Sequence, residues 1–154
     1  MIVTDIVNII ESAAPLEWQE AWDNSGLQVG SRNASVERVL LTVDVTESVV
    51  SEAIEKDCQL IISHHPLLFQ GLKQITDATP EARIVRRAIE HKIAIYSTHT
   101  SMDSALHGVS GRMAEKTGIK DYRILVPNKQ YGPEVGLGVI GELPDAMEAS
   151  DEKA

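Results

Sequence analysis

His64 and His65 stand side by side before Pro66, and His99 opens the stretch His99-Thr100-Ser101-Met102-Asp103, so three of the five histidines sit in two short segments that also carry a carboxylate. Neutral imidazole and carboxylate are the donor set for borderline and hard divalent ions such as zinc, manganese or iron. His64, His65 and Asp103 supply three protein ligands, the number with which a catalytic zinc site keeps one position open for water. His99 is then a fourth ligand or the neighbour that holds Asp103 in place. The plainer alternative for His64-His65 is a hydrogen-bonded turn ahead of proline. His91, at a helix C-terminus where a cation suits the dipole, and His107, at the start of a helix, read as surface residues.

Other arrangements fail. Gly111-Arg112-Met113-Ala114-Glu115-Lys116-Thr117 has Lys116 where a phosphate loop needs its second glycine. Gly108-Val109-Ser110-Gly111-Arg112 lacks the closing glycine of a nucleophile elbow. Cys58 precedes an apolar strand and reads as a small core residue, and Trp18 and Trp22 read as packing anchors rather than ligand stackers.

Such residues converge only if the elements between them carry them to one place. Val39–Val43, Leu60–Ile62 and Ile93–Tyr96 are short, β-branched apolar runs. Between them Thr46 opens a helix bearing Val49, Val50, Ala53 and Ile54, and Thr79 caps one that starts at Pro80 and carries Ile84, Val85, Ala88 and Ile89. Strands of this kind separated by amphipathic helices predict a mostly parallel sheet covered on both faces, an α/β three-layer sandwich. Ligands bind such a sheet at the carboxyl ends of its strands, where Asp44, His64-His65 and His99 fall.

The flanks are less regular. Thr4 is expected to cap a first helix with Ile6, Ile9, Ile10 and Ala13 on its apolar face, ended by Pro15. A loop with a short strand at Leu27–Val29 follows. A helix bearing Val109 and Met113 stops at Gly118. Tyr122–Val126 and Val135–Ile140 then read as a hairpin added to the sheet. Residues 1–143 are taken as one domain, and 144–154 as an acidic disordered tail.

A chain of 154 residues is of single-domain size. Its net charge of −9 argues against nonspecific nucleic-acid binding and against anionic membranes, so an anionic ligand must be held by a metal ion or a few local cations. One cysteine excludes an internal disulfide. With neither a signal peptide nor an apolar span, the expected location is cytoplasmic.

Four segments together carry a resemblance: Trp22-Asp23-Asn24-Ser25-Gly26-Leu27-Gln28-Val29-Gly30, Leu41-Thr42-Val43-Asp44-Val45-Thr46, Ile62-Ser63-His64-His65-Pro66-Leu67-Leu68-Phe69 and Ser97 to Asp103. In that order they resemble the motifs of the Nif-three-like family, also called GTP cyclohydrolase I type 2 homologues or YbgI-like proteins. The likeness runs from about Met1 to Leu143. It implies a dinuclear metal site in which His64, His65 and Asp103 are ligands with His99 beside them, completed by a His and a Glu four residues apart near the end of a longer chain. It also implies a homo-oligomer, often a hexameric ring. No His follows His107 here, so one tightly held ion is expected, the second being weak or absent.

The first functional reading is a metal-dependent hydrolase-like protein, of the GTP cyclohydrolase type 2 kind, acting through metal-activated water on a small molecule, with His99 or Asp44 moving protons. The alternative is a metal-binding or assembly-forming protein whose incomplete site does not turn over.

Overall fold

A computed structural model of the chain describes residues 1–143; the segment read as an acidic tail lies outside them. Contacts divide the chain into two units, Met1–Ser101 and Met102–Ala154.

In the first unit the three apolar runs become β2 (Val39–Thr42), β3 (Leu60–Ser63) and β4 (Ala94–Ser97), all parallel, in a four-stranded sheet of order β1-β4-β3-β2. The added strand, β1 (Gly26–Val29), runs antiparallel along the free edge of β4. Alternate side chains point to opposite faces. Ile61 and Ile95 join Val50 and Ala53 of α2 (Glu47–Glu55) and Ile84, Val85 and Ala88 of α3 (Pro80–Glu90). Leu60, Ala94 and Tyr96 instead meet Val3 and Val7 of α1 (Val3–Ala13) on the other face. The sandwich is therefore three layers, as the strand and helix pattern predicts. Cys58 is buried in the α2/α3 layer.

Two helix starts follow their local signals: Thr46 and Thr79 each accept the N–H of the third helical residue, Val49 and Ala82. The first helix departs from its signal. α1 is capped at Ile2, whose N–H donates to Asp5, while the Thr4 hydroxyl lies inside the helix and donates to the Arg32 carbonyl at 2.9 Å. Moving the start rotates the buried stripe to Val3 and Val7, and Ile9, expected on the apolar face, is 62% exposed. Gly30 closes β1 with a φ of 99°, and a Cβ there would lie 2.8 Å from both Cα and Cβ of Ala94 on β4, so only glycine lets the two strands meet.

In the second unit α5 (Val109–Thr117) ends at Gly118, whose φ of 80° is the left-handed cap that the sequence suggests. Its buried residues are Gly111 and Ala114, whereas Val109 and Met113 face out. The hairpin forms from β5 (Lys120–Asn128) and β6 (Gly132–Glu142), but as its own two-stranded sheet rather than as an addition to the four-stranded one. The strand pattern specified the pairing of these neighbours, and nothing local specified attachment to β1–β4. Among the described residues no helix is long and apolar enough to cross a membrane.

Candidate functional site

Parallel register sets Ser63 opposite Ser97, so β3 and β4 end level and their following loops leave side by side. The loop after β3 is then bonded on both sides. His64 N–H donates to the Thr42 carbonyl (3.2 Å) and His65 N–H to that of Val43 (2.9 Å). On the other side Thr98 N–H donates to Ser63 (3.0 Å), and His99 N–H to the His64 carbonyl (2.9 Å). Buried hydroxyls complete the clamp, Ser97 Oγ donating to the His64 carbonyl and Ser63 Oγ to that of His65, both at 2.8 Å. Small hydroxyl residues suit this place because, buried themselves, they satisfy the loop carbonyls beside them.

This backbone gathers three imidazoles. Ring centroids lie 4.9 Å apart for His64 and His65, 5.5 Å for His64 and His99, and 5.7 Å for His65 and His99. Two of the rings are backed by carboxylates: Asp44 Oδ1 lies 2.7 Å from His65 Nδ1, and Asp23 Oδ1 lies 2.7 Å from His99 Nδ1. A carboxylate accepts, so each Nδ1 carries the proton and each Nε2 is left as the free base of the neutral ring. The His99 backbone has a φ of 22°, a sparsely populated value for a residue with a side chain. It begins α4 (His99–Asp103), a five-residue helix with Asp103 at its other end.

Asp23 is the most constrained of these groups, its side chain wholly buried. Burial alone would raise its pKa, but hydrogen bonds from His99, Thr100, Ser25 and the Asn24 N–H outweigh that and hold it at about 2. Thr100 contributes both its N–H (3.1 Å) and its hydroxyl, and Ser25 Oγ donates at 2.8 Å. The carboxylate is thus ionised at neutral pH and fixes the His99 tautomer.

His64, His65 and His99 come together as the strand-end argument predicts. Asp103 stands one helical turn from His99 in sequence and belongs to the second unit. His91 is an exposed helix C-cap, and His107, also exposed, lies 3.4 Å through Nδ1 from the Tyr122 hydroxyl. Asp23 escaped the residue-level reading although it lies inside the first family motif. Its signal was a carboxylate just ahead of a strand bordering β4. Trp22, expected to be a packing anchor, is 60% exposed.

Among the described residues no three His, Cys, Asp or Glu side chains meet the geometry of a ready-made metal site. The donor chemistry nevertheless suits a borderline divalent ion. Imidazoles sharing one tetrahedral ion at about 2.0–2.1 Å from nitrogen stand roughly 5 Å apart between centroids, close to the spacings here, and carboxylates behind Nδ1 are the usual supports of ligating histidines.

Known proteins share this arrangement of chain. A protein of Clostridium acetobutylicum named as a GTP cyclohydrolase 1 type 2 homolog is 39% identical over 145 residues, covering 94% of this chain and 54% of its own. The Drosophila melanogaster NIF3-like protein 1 is 39% identical over 134 residues, 86% of this chain and 46% of its own. The crystal structure of a Bacillus cereus protein related to NIF3 superposes with a TM-score of 0.78 at 38% identity, over 83% of this chain and 35% of that one. The chain thus spans about half the length of the two relatives or less than half of the solved structure. The family model described as Duf34/NIF3 (NGG1p interacting factor 3) matches residues 1–152, and the chain belongs to that family.

Proposed function

We propose that the protein is a metal-dependent hydrolase-like protein, of the kind named in its relatives as GTP cyclohydrolase 1 type 2 homologs, acting on a small molecule through activated water. The observation that carries this reading is the pair of carboxylate-backed imidazoles, His65 on Asp44 and His99 on Asp23, beside His64. His64, His65 and Asp103 would hold a zinc, manganese or iron ion, with one such ion bound tightly per chain. Such an ion supplies Lewis acidity that brings the pKa of water towards neutrality. His99 takes up the proton at Nε2, and the buried Asp23 carboxylate stabilises the imidazolium that results. Asp44 keeps the His65 ring turned with Nε2 available. The family resemblance extends the proposal to a homo-oligomer, with a hexameric ring as the expected form, and the single cysteine suits a reducing, cytoplasmic location.

A second reading is a metal-binding or assembly-forming protein without turnover, since the cluster of His64, His65 and His99 needs no catalysis to hold an ion. Elemental analysis of protein purified without added metal tests the first part. One divalent ion per chain is expected, lost in His64→Ala and Asp103→Ala and kept in His91→Ala. Retention in all three variants overturns the assignment. A chain that holds the ion yet consumes no GTP in a chromatographic assay removes GTP as the substrate, and inactivity on a wider panel of hydrolysable small molecules supports the second reading.

A further inference from the structure

Trp22 and Phe69 are 60% and 50% exposed, although the chain has only six aromatic residues, two Trp, three Tyr and one Phe. Aromatic rings are the largest contributors to burial, so a chain this poor in them would not leave two in water at one spot without a use. Their centroids lie 5.9 Å apart with the planes at 54°. Each ring also stands edge-on to His99, Trp22 at 6.0 Å and 77°, Phe69 at 6.3 Å and 87°.

The backbone beneath both rings is pinned. Trp22 precedes the buried Asp23. Phe69 follows Leu68, whose N–H donates to Gln28 Oε1 (3.0 Å) and whose carbonyl accepts from Asn24 Nδ2. Gln28 Nε2 donates in turn to the Asn24 carbonyl (2.7 Å), so one polar circuit stitches the Trp22 loop to the Phe69 loop. Ordering of this kind before binding removes part of the entropic cost of association.

We propose that Trp22 and Phe69 form a stacking platform for the planar heteroaromatic ring of a small-molecule ligand, placed beside the His99 imidazole. This rests on the reading of His99 as a site residue and names the ligand class that site accepts. A ring sandwiched between the two would need them about 7 Å apart, twice the contact distance of about 3.5 Å. At 5.9 Å they are too close, so the ligand lies on the open face of Trp22 with Phe69 at its flank. A net charge of −9 disfavours a nucleic-acid strand as the source of that ring.

The probe is inosine, with ribose as the non-planar control, added to the whole chain. In a Trp18→Phe background Trp22 is the sole indole, and inosine but not ribose is expected to quench it. By ligand-observed NMR, Trp22→Ala and Phe69→Ala should each weaken inosine binding about tenfold. Trp22→Phe should restore most of it, and all three should keep the parent metal content and circular dichroism. No quenching up to the solubility limit of inosine, equal quenching by ribose, or unchanged affinity in Trp22→Ala overturns the platform. So does a change of mass by light scattering in Trp22→Ala, which would make the patch a contact between copies, or Trp22-dependent binding of a single-stranded oligonucleotide without inosine binding. Inosine quenching in a parent chain that holds no ion keeps the platform while removing the metal-centre reading.

Discussion

Asp23 and His99, 76 residues apart, meet at 2.7 Å with the Asp23 side chain fully buried, whereas the matching Asp44–His65 contact, also 2.7 Å, is 64% and 49% exposed. Equal distances in unequal surroundings are not equal interactions. Water competes for and screens the outer pair, while the inner pair lies where its partners have no substitute.

The first prediction follows from that contrast. Asp23→Ala orphans donors from His99, Thr100 and Ser25 and should lower stability by about 2–4 kcal/mol. Asp44→Ala should stay within about 1 kcal/mol of the parent. Urea denaturation of metal-free protein measures both, and equal losses would mean the burial of Asp23 does not matter.

Acid should act through the same residue. Its folded pKa of about 2 lies below the 3.8 of an ordinary aspartate, so the unfolded chain binds the proton more readily. The stabilisation is fully present above pH 4 and is lost as pH falls from about 4 to 2. The shift corresponds to about 2 kcal/mol. Stability of metal-free protein should therefore fall more steeply across that window than that of Asp23→Asn. Parallel curves would remove the assignment.

Asp44 should show its effect on the ion instead of on the fold. Asp44→Asn leaves the shape but replaces the carboxylate behind His65 Nδ1, and loss of such a support typically weakens metal affinity about 10–100-fold. Competition with a chromophoric chelator reads the change. An unaltered affinity would mean that His65 is not a ligand or needs no partner.

How far the chain could be read from its residues depended on how far each signal had to reach. Thr46 and Thr79-Pro80 gave correct helix starts because a cap is decided within three residues. Thr4 misled because its hydroxyl is taken by Arg32, 28 residues on. The gathering of His64 with His99 was legible from strand ends, since adjacent parallel strands follow from the βαβ pattern. The carboxylate behind His99 was not, because nothing near Asp23 says that β1 runs back along β4 and carries the preceding loop to that end of the sheet. Nor does any local pattern mark Trp22 as exposed: the same indole, on a loop that turned inwards, would have been the packing anchor that its type suggests.

That dependence of the site on β1 can be tested at its far end. Gly30 holds a φ of 99° and its missing Cβ would sit 2.8 Å from Ala94, against backbone as well as side chain, so the neighbour cannot swing aside. Gly30→Ala combines a disfavoured dihedral with a steric clash and should cost more than about 2 kcal/mol, because either β1 lifts from β4 or the turn distorts. Since Gly26 at the start of β1 pairs with Ser97, a lifted strand displaces the Asp23 loop. The His99 ring resonances should then shift in NMR spectra although residue 30 touches none of the histidines. Gly71 is the control: a Cβ there meets nothing within 4 Å and its backbone is not left-handed, so Gly71→Ala should be neutral or stabilising by about 0.4–1 kcal/mol through the unfolded chain. If Gly30→Ala matched Gly71→Ala in both stability and His99 resonances, β1 would not be what positions Asp23.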